Sequence, residues 1–121
     1  HLPNIAETKG IISWELLSLL NENATFINTG RGAQIVENDL ARALRKKPNT
    51  CALLDVTSKE PIRPWSKLLR MKNVFIMPHI AGSLSCENGR MVKYMVTAYF
   101  NTLKGLTDTC EVSKEKIHNQ T

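Results

Sequence analysis

The chain has 121 residues, enough for one domain and too few for two. It is 42% hydrophobic and carries a net charge of +5, yet its sixteen Lys and Arg are scattered, which argues against a nucleic-acid-binding surface. No apolar run is long enough to cross a membrane, so no membrane partner is expected. Three cysteines, Cys51, Cys86 and Cys110, are too few for a disulfide framework; they point to free thiols in a reducing, cytoplasmic setting. No Cys/His cluster has the spacing of metal ligands.

His1-Leu2-Pro3 reads as the end of a strand already under way, and the first residue is not methionine. The expectation is the back part of a longer polypeptide. Pro3 and Asn4 stop regular structure, and Gly10 closes the loop that follows. A short helix is predicted from about Ser13 to Leu20, with Ser13 as its cap and four leucines on its buried face. Residues 24–28 form a short apolar strand, which breaks abruptly at Thr29-Gly30-Arg31-Gly32. Two glycines around one arginine let backbone approach a ligand closely.

Val36, Leu40, Ala43 and Leu44 recur at helical spacing and predict a helix over 37–46. Glu37 and Asp39 lie at its positive end. The densest basic cluster, Arg42, Arg45, Lys46 and Lys47, falls at its negative end, where cations favour the dipole. Residues 50–56 are an apolar run broken only by Asp55, as expected of a strand covered on both faces. A polar loop over 57–64 and a helical turn over 65–70 follow. Residues 73–77 make another strand, stopped by Pro78-His79. A longer helix is predicted from Ser83 or Ser85 to about Lys104. Its apolar stripe is Met91, Tyr94, Met95, Ala98, Tyr99 and Leu103, and Gly105 is its stop. The polar tail over 106–121 has no periodicity. Alternating strands and helices predict an α/β fold, a parallel sheet with helices on both faces.

In such a sheet the loops after successive strands converge on one edge, where ligands bind. Arg31 follows the first interior strand, Glu60 the second and His79 the third, while Asp55 ends the second strand itself. Each has an ordinary reading alone: a surface arginine in a glycine turn, a solvated glutamate before a proline, a loop histidine, an aspartate capping a turn. Their joint placement at three strand ends argues for a site. A guanidinium grips a carboxylate through two parallel hydrogen bonds. An imidazole moves a proton near neutral pH, and a neighbouring carboxylate orients it and favours its acid form.

Several short motifs occur in a fixed order: His1-Leu2-Pro3, Glu7-Thr8-Lys9-Gly10, Ile27-Asn28-Thr29-Gly30-Arg31-Gly32, Leu54-Asp55-Val56 with Glu60-Pro61, and Asn73-Val74 through Pro78-His79-Ile80-Ala81-Gly82-Ser83. In that order the sequence resembles the D-isomer-specific 2-hydroxyacid dehydrogenases, from His1 to about Lys104. The resemblance implies a Rossmann-like domain of which this chain is the second half. Residues 1–84 would complete the dinucleotide-binding domain, and residues 85–121 would be a C-terminal crossing helix and tail toward a separate substrate-binding domain. It implies that Arg31 binds the substrate carboxylate, His79 is the acid/base and Glu60 is its partner. It also implies that NAD, with NADP not excluded, is lined by Leu2, Pro3, Thr8, Thr29, Gly30, Arg31, Asp55 and His79, with Ala81 and Gly82 beside it. Asp55 would meet the nicotinamide carboxamide.

The implied reaction is reversible reduction of a small 2-oxo acid to a 2-hydroxy acid, in a homodimer. Thr57 stands where many members of the family carry an aromatic residue. No Gly-x-Gly-x-x-Gly follows a strand, so the pyrophosphate cradle is missing from these residues. A non-enzymatic, NAD(H)-sensing interaction protein of the corepressor type on the same fold is the alternative.

Overall fold

The computed structural model describes residues 2–82 and 86–106. They fall into two compact units that divide after His79.

The first unit is built on three short strands, β1 (Thr25–Asn28), β2 (Cys51–Leu54) and β3 (Val74–Ile76). They form one parallel sheet in the order β1-β2-β3. Two register rows run across it: Phe26, Ala52 and Val74 in one, Ile27, Leu53 and Phe75 in the next. Successive side chains point to opposite faces, so these rows belong to different faces.

The first row faces the core. Helix α1 (Trp14–Leu17) and helix α2 (Glu37–Lys46) supply Leu17, Leu40, Ala41, Ala43 and Leu44, which bury against Ala52, Leu54 and Leu68. The periodicity of α2 fixes which of its residues go inward, and its bounds match the sequence expectation. Burying each leucine contributes about 1.5–3 kcal/mol.

The expectation of helices on both faces is met here on one face only. Ile27 (62%) and Phe75 (56%) stay exposed and Leu53 is at 37%, because both helices of this unit pack on the opposite side. The continuous apolar run through β2 therefore does not correspond to a strand buried on both faces within residues 2–79. A second difference lies at the start of the chain. Leu2 and Pro3 are in no strand, and His1 lies outside the described residues. Among the described residues three strands stand where four were expected, with an isolated parallel bridge between Ile12 and Ile35.

Polar side chains join the layers. The Trp14 N–H that opens α1 donates to Asp39 of α2 at 3.1 Å. Ser13, expected as the cap, makes no side-chain bond to the helix backbone; its hydroxyl meets Glu15 instead. Arg42 and Lys46 lie over the Trp14 ring at 3.9 and 5.1 Å, and the Lys47 ammonium donates to the carbonyls of Ser18 and Leu20. The basic cluster thus has internal work, tying α2 to the turn before β1.

In the second unit, α3 (Cys86–Leu103) ends on Gly105 at φ +68°. The Leu106 N–H donates to the Asn101 carbonyl and the Gly105 N–H to the Thr102 carbonyl, a Schellman stop that needs a residue tolerating left-handed backbone. The predicted start at Ser83 or Ser85 and the tail over 107–121 lie outside the described residues. The apolar stripe forms but is not buried: Met91, Tyr94, Met95, Tyr99 and Leu103 are all at least half exposed, and Ala98 is half-buried. No described helix is long and apolar enough to cross a membrane.

Leu44 is 1% exposed at the centre of the helix–sheet layer. Leu44→Ala is expected to cost about 2–5 kcal/mol, read as a lowered midpoint in urea unfolding followed by circular dichroism.

Candidate active site

Parallel register brings Asn28, Leu54 and Ile76, the last residues of the three strands, to the same edge of the sheet. The loops that leave them carry the candidate groups.

The loop after β1 is organised by Asn28, which is buried. Its side-chain oxygen accepts from the Gly30 N–H at 3.0 Å, and its amide donates to the Arg31 carbonyl at 3.3 Å. One side chain therefore closes the turn that presents Arg31. The guanidinium of Arg31 is exposed and donates from Nη1 to the Gly30 carbonyl at 3.0 Å.

Gly32 explains the second glycine of the motif. A Cβ at this position would lie 2.0 Å from both the carbonyl carbon and oxygen of Thr57. The loop after β1 and the loop after β2 thus touch backbone to backbone, closer than any side chain permits.

The loop after β2 begins at Asp55, buried at 5% exposure, and reaches Glu60. The Thr57 N–H donates to Glu60 Oε1 at 3.1 Å, and the Ser58 N–H donates to Glu37 Oε1 at 2.7 Å, anchoring the loop to the start of α2. Glu60 Oε2 lies 2.8 Å from His79 Nδ1. His79 has φ +56°, a left-handed backbone uncommon outside glycine. Such conformations cost energy and persist where the surroundings hold them. The hydrogen bond to His79 is the main cause holding the Glu60 carboxyl below its ordinary value, with the Thr57 N–H and the histidine charge adding to it; burial and the negative charge of Asp55 oppose them.

Arg31, Glu60 and His79 line one cavity of about 220 Å³, together with Asn4, Gly32 and Thr57 among others. A second cavity of about 350 Å³ shares Thr57, Glu60 and His79 and adds Asp55, Ile76 and Met77. Of the residues singled out in the sequence, Arg31, Asp55, Glu60 and His79 thus border two cavities that share lining residues. Thr8 is buried, and its hydroxyl donates to the Pro3 carbonyl at 2.6 Å. It acts on the Leu2–Pro3 segment, which Gln34 also holds by donating to the Leu2 carbonyl at 2.8 Å. Thr29 is exposed and Gly30 half-buried in the Arg31 turn, while Ala81 and Gly82 open the second unit in a turn. Sequence reasoning gave no role to Asn28, Gln34 or Thr57. A polar residue at a strand end or inside an apolar stretch was the available signal.

The NAD binding domain of the D-isomer specific 2-hydroxyacid dehydrogenases matches residues 1–81. The chain belongs to this family. Glyoxylate/hydroxypyruvate reductase A of Escherichia fergusonii is 44% identical over 80 residues, 66% of this chain and 26% of that protein. A D-isomer specific 2-hydroxyacid dehydrogenase from Xanthobacter autotrophicus Py2, solved with NADPH and MES, superposes with a TM-score of 0.79 at 31% identity over 95% of this chain and 47% of that one. An NADPH-dependent glyoxylate/hydroxypyruvate reductase from Sinorhizobium meliloti, solved with NADP and sulfate, gives 0.78 at 32% identity over 94% of this chain and 37% of that one. The chain therefore spans about a quarter of the curated relative and less than half of these solved ones. These relatives lend no support to the corepressor alternative.

The Glu60–His79 pair sets a pH dependence. The folded state lowers the Glu60 pKa, so its contribution to stability is fully present above the ordinary value near 4.5 and is lost as pH falls through the lowered one. Both side chains are about half exposed, at 41% and 51%, so the effect is modest. Unfolding midpoints measured from pH 6 downward are expected to fall less steeply in Glu60→Gln than in the parent below about pH 4.5. Gly32→Ala is expected to cost about 1–3 kcal/mol in the same assay, since neither backbone can yield cheaply.

Proposed function

We propose that the protein containing this chain reduces a small 2-oxo acid to the 2-hydroxy acid with a reduced nicotinamide dinucleotide. The observation that carries the reading is the meeting of Arg31, Glu60 and His79 on one cavity at the carboxyl edge of a parallel sheet. Residues 1–84 serve as the second half of the dinucleotide-binding domain. Residues 85–121 lead toward a separate substrate domain. We further propose a homodimer working in the cytoplasm. The names of the relatives favour glyoxylate or hydroxypyruvate as substrate.

The residues present fit the nicotinamide end of the cofactor. Asp55 supplies a nearly buried carboxylate acceptor beside the apolar wall of Ile76 and Met77, which suits a planar ring bearing an amide. Asp55, Thr29, Gly30, Leu2, Pro3 and Thr8 would hold that end, joined by Ala81 and Gly82 on sequence correspondence alone. The pyrophosphate has no glycine-rich cradle in these 121 residues. The isolated chain should therefore bind the dinucleotide weakly and turn over poorly.

When bound, the reduced cofactor supplies the hydride that reaches the carbonyl carbon. Arg31 pairs with the substrate carboxylate in fork geometry and fixes which carbon faces that hydride. Glu60 accepts from His79 Nδ1, which leaves Nε2 as the atom that presents a proton. As the carbonyl π electrons move onto oxygen, His79 Nε2 gives that oxygen its proton and the product is the hydroxy acid. Glu60 stabilises the imidazolium before transfer and keeps the ring aimed.

In the full-length protein, His79→Gln is expected to lower kcat for glyoxylate reduction by about 10²–10⁴-fold with dinucleotide affinity little changed. Arg31→Gln should lower kcat/KM by about 100-fold, chiefly through KM, as loss of a charge-assisted contact to the substrate predicts. Full turnover by either variant, followed by dinucleotide absorbance, would overturn the reading.

A further inference from the structure

We propose that Thr57 is a positioning residue that fixes the Glu60 carboxylate, and through it His79, by means of its side-chain hydroxyl. The proposal rests on the site described above and assigns a function to a residue that contributes no reacting atom.

Thr57 is buried, at 8% exposure, and its polar atoms point in three useful directions. Its hydroxyl donates to the Lys59 carbonyl at 2.8 Å, closing a tight turn within the loop. Its N–H donates to Glu60 Oε1 at 3.1 Å. Its carbonyl rests against Gly32, where a Cβ would come within 2.0 Å. The same carboxylate offers its other oxygen to His79 at 2.8 Å. Glu60 is thus held at both oxygens, one by a fixed backbone donor and one by the imidazole.

The hydroxyl is the part that a substitution can remove while the N–H remains as a donor. Without it, the turn over 57–60 loses its side-chain closure. The N–H of Thr57 then samples orientations that miss Oε1, and Glu60 keeps only its exposed contact with His79. A carboxylate free to rotate about its terminal torsion aims the imidazole poorly, because that torsion is soft. The Gly32 contact adds a second consequence. The loop presenting Arg31 and the loop presenting Glu60 share Thr57 as their meeting point, so the approach of these two loops is set at this residue.

The test uses three variants of the 121-residue chain. Thr57→Val keeps the branched shape and removes the hydroxyl; Thr57→Ala removes both; Thr57→Ser keeps the hydroxyl. Two readouts are followed by NMR: the titration midpoint of the Glu60 carboxyl carbon, and the hydrogen-exchange rate of the Thr57 amide. In Thr57→Val and Thr57→Ala the Glu60 midpoint should move up toward the ordinary carboxylate range, and the amide should exchange about fivefold faster, as loss of one hydrogen bond predicts. Thr57→Ser should match the parent in both. If one of the hydroxyl-free variants fails to fold, the other gives the reading.

Unchanged titration and exchange in the hydroxyl-free variants would overturn the proposal, as would a serine variant that behaves like valine. In the full-length protein, Thr57→Val should lower kcat and move the acidic limb of its pH profile upward while leaving KM for the oxo acid within about twofold. The NMR readouts need no turnover, so they test the positioning role even if the oxidoreductase reading fails.

Discussion

Parallel pairing of three very short strands is the constraint on which the rest of the first unit depends. Each strand is three or four residues long, so the sheet offers little area of its own. Its consequence is directional. Every strand ends at the same edge, and every loop that leaves that edge carries a group able to bind or move charge. Antiparallel pairing would send alternate loops to opposite edges and separate Glu60 from Arg31 and His79. Core packing of α2 against Ala52 and Leu54 holds the register, since a slip by one residue would turn the apolar row outward.

Around that edge, short-range polar contacts do the fine placement. Asn28 closes the arginine turn, Thr57 closes the glutamate turn, and the Gly32 backbone lies against Thr57. None of these contributes much to stability alone, because a typical net hydrogen bond is worth about 1 kcal/mol. Together they hold the loops that carry the guanidinium and the carboxylate against each other. The left-handed backbone at His79 fits the same pattern, a locally unfavourable conformation held by its surroundings at a candidate site.

The apolar row of Ile27, Leu53 and Phe75 shows the other side of this economy. A strand rich in aliphatic residues normally reports burial on both faces. Here one face is satisfied by α1 and α2, and the other is open within residues 2–79. The exposed stripe of α3 is a second case of patterning without burial in the described residues. Composition reports what a surface could cover, whereas only packing reports what does cover it.

The α2 boundaries were legible from the spacing of Leu40, Ala43 and Leu44, because helical periodicity is a local property of the chain. Parallel pairing was legible from the alternation of strands and helices, and the candidate groups Arg31, Glu60 and His79 from the breakers that follow each apolar run; the strand order came from the fold. The resemblance of the motifs to a dehydrogenase family was legible too, since motif order survives in one dimension. The sequence could not show that Asp39 rather than Ser13 caps α1, that Thr8 and Gln34 serve the Leu2–Pro3 segment, or that Gly32 is required by the Thr57 backbone. Those facts concern partners at separations of up to about thirty residues, and hydrogen-bond partners at that range are chosen by the folded geometry. By itself the sequence determined which residues could do chemistry and which edge they would share. Only the tertiary structure decided which neighbours aim them, because a side chain's orientation depends on contacts that form after the strands have paired.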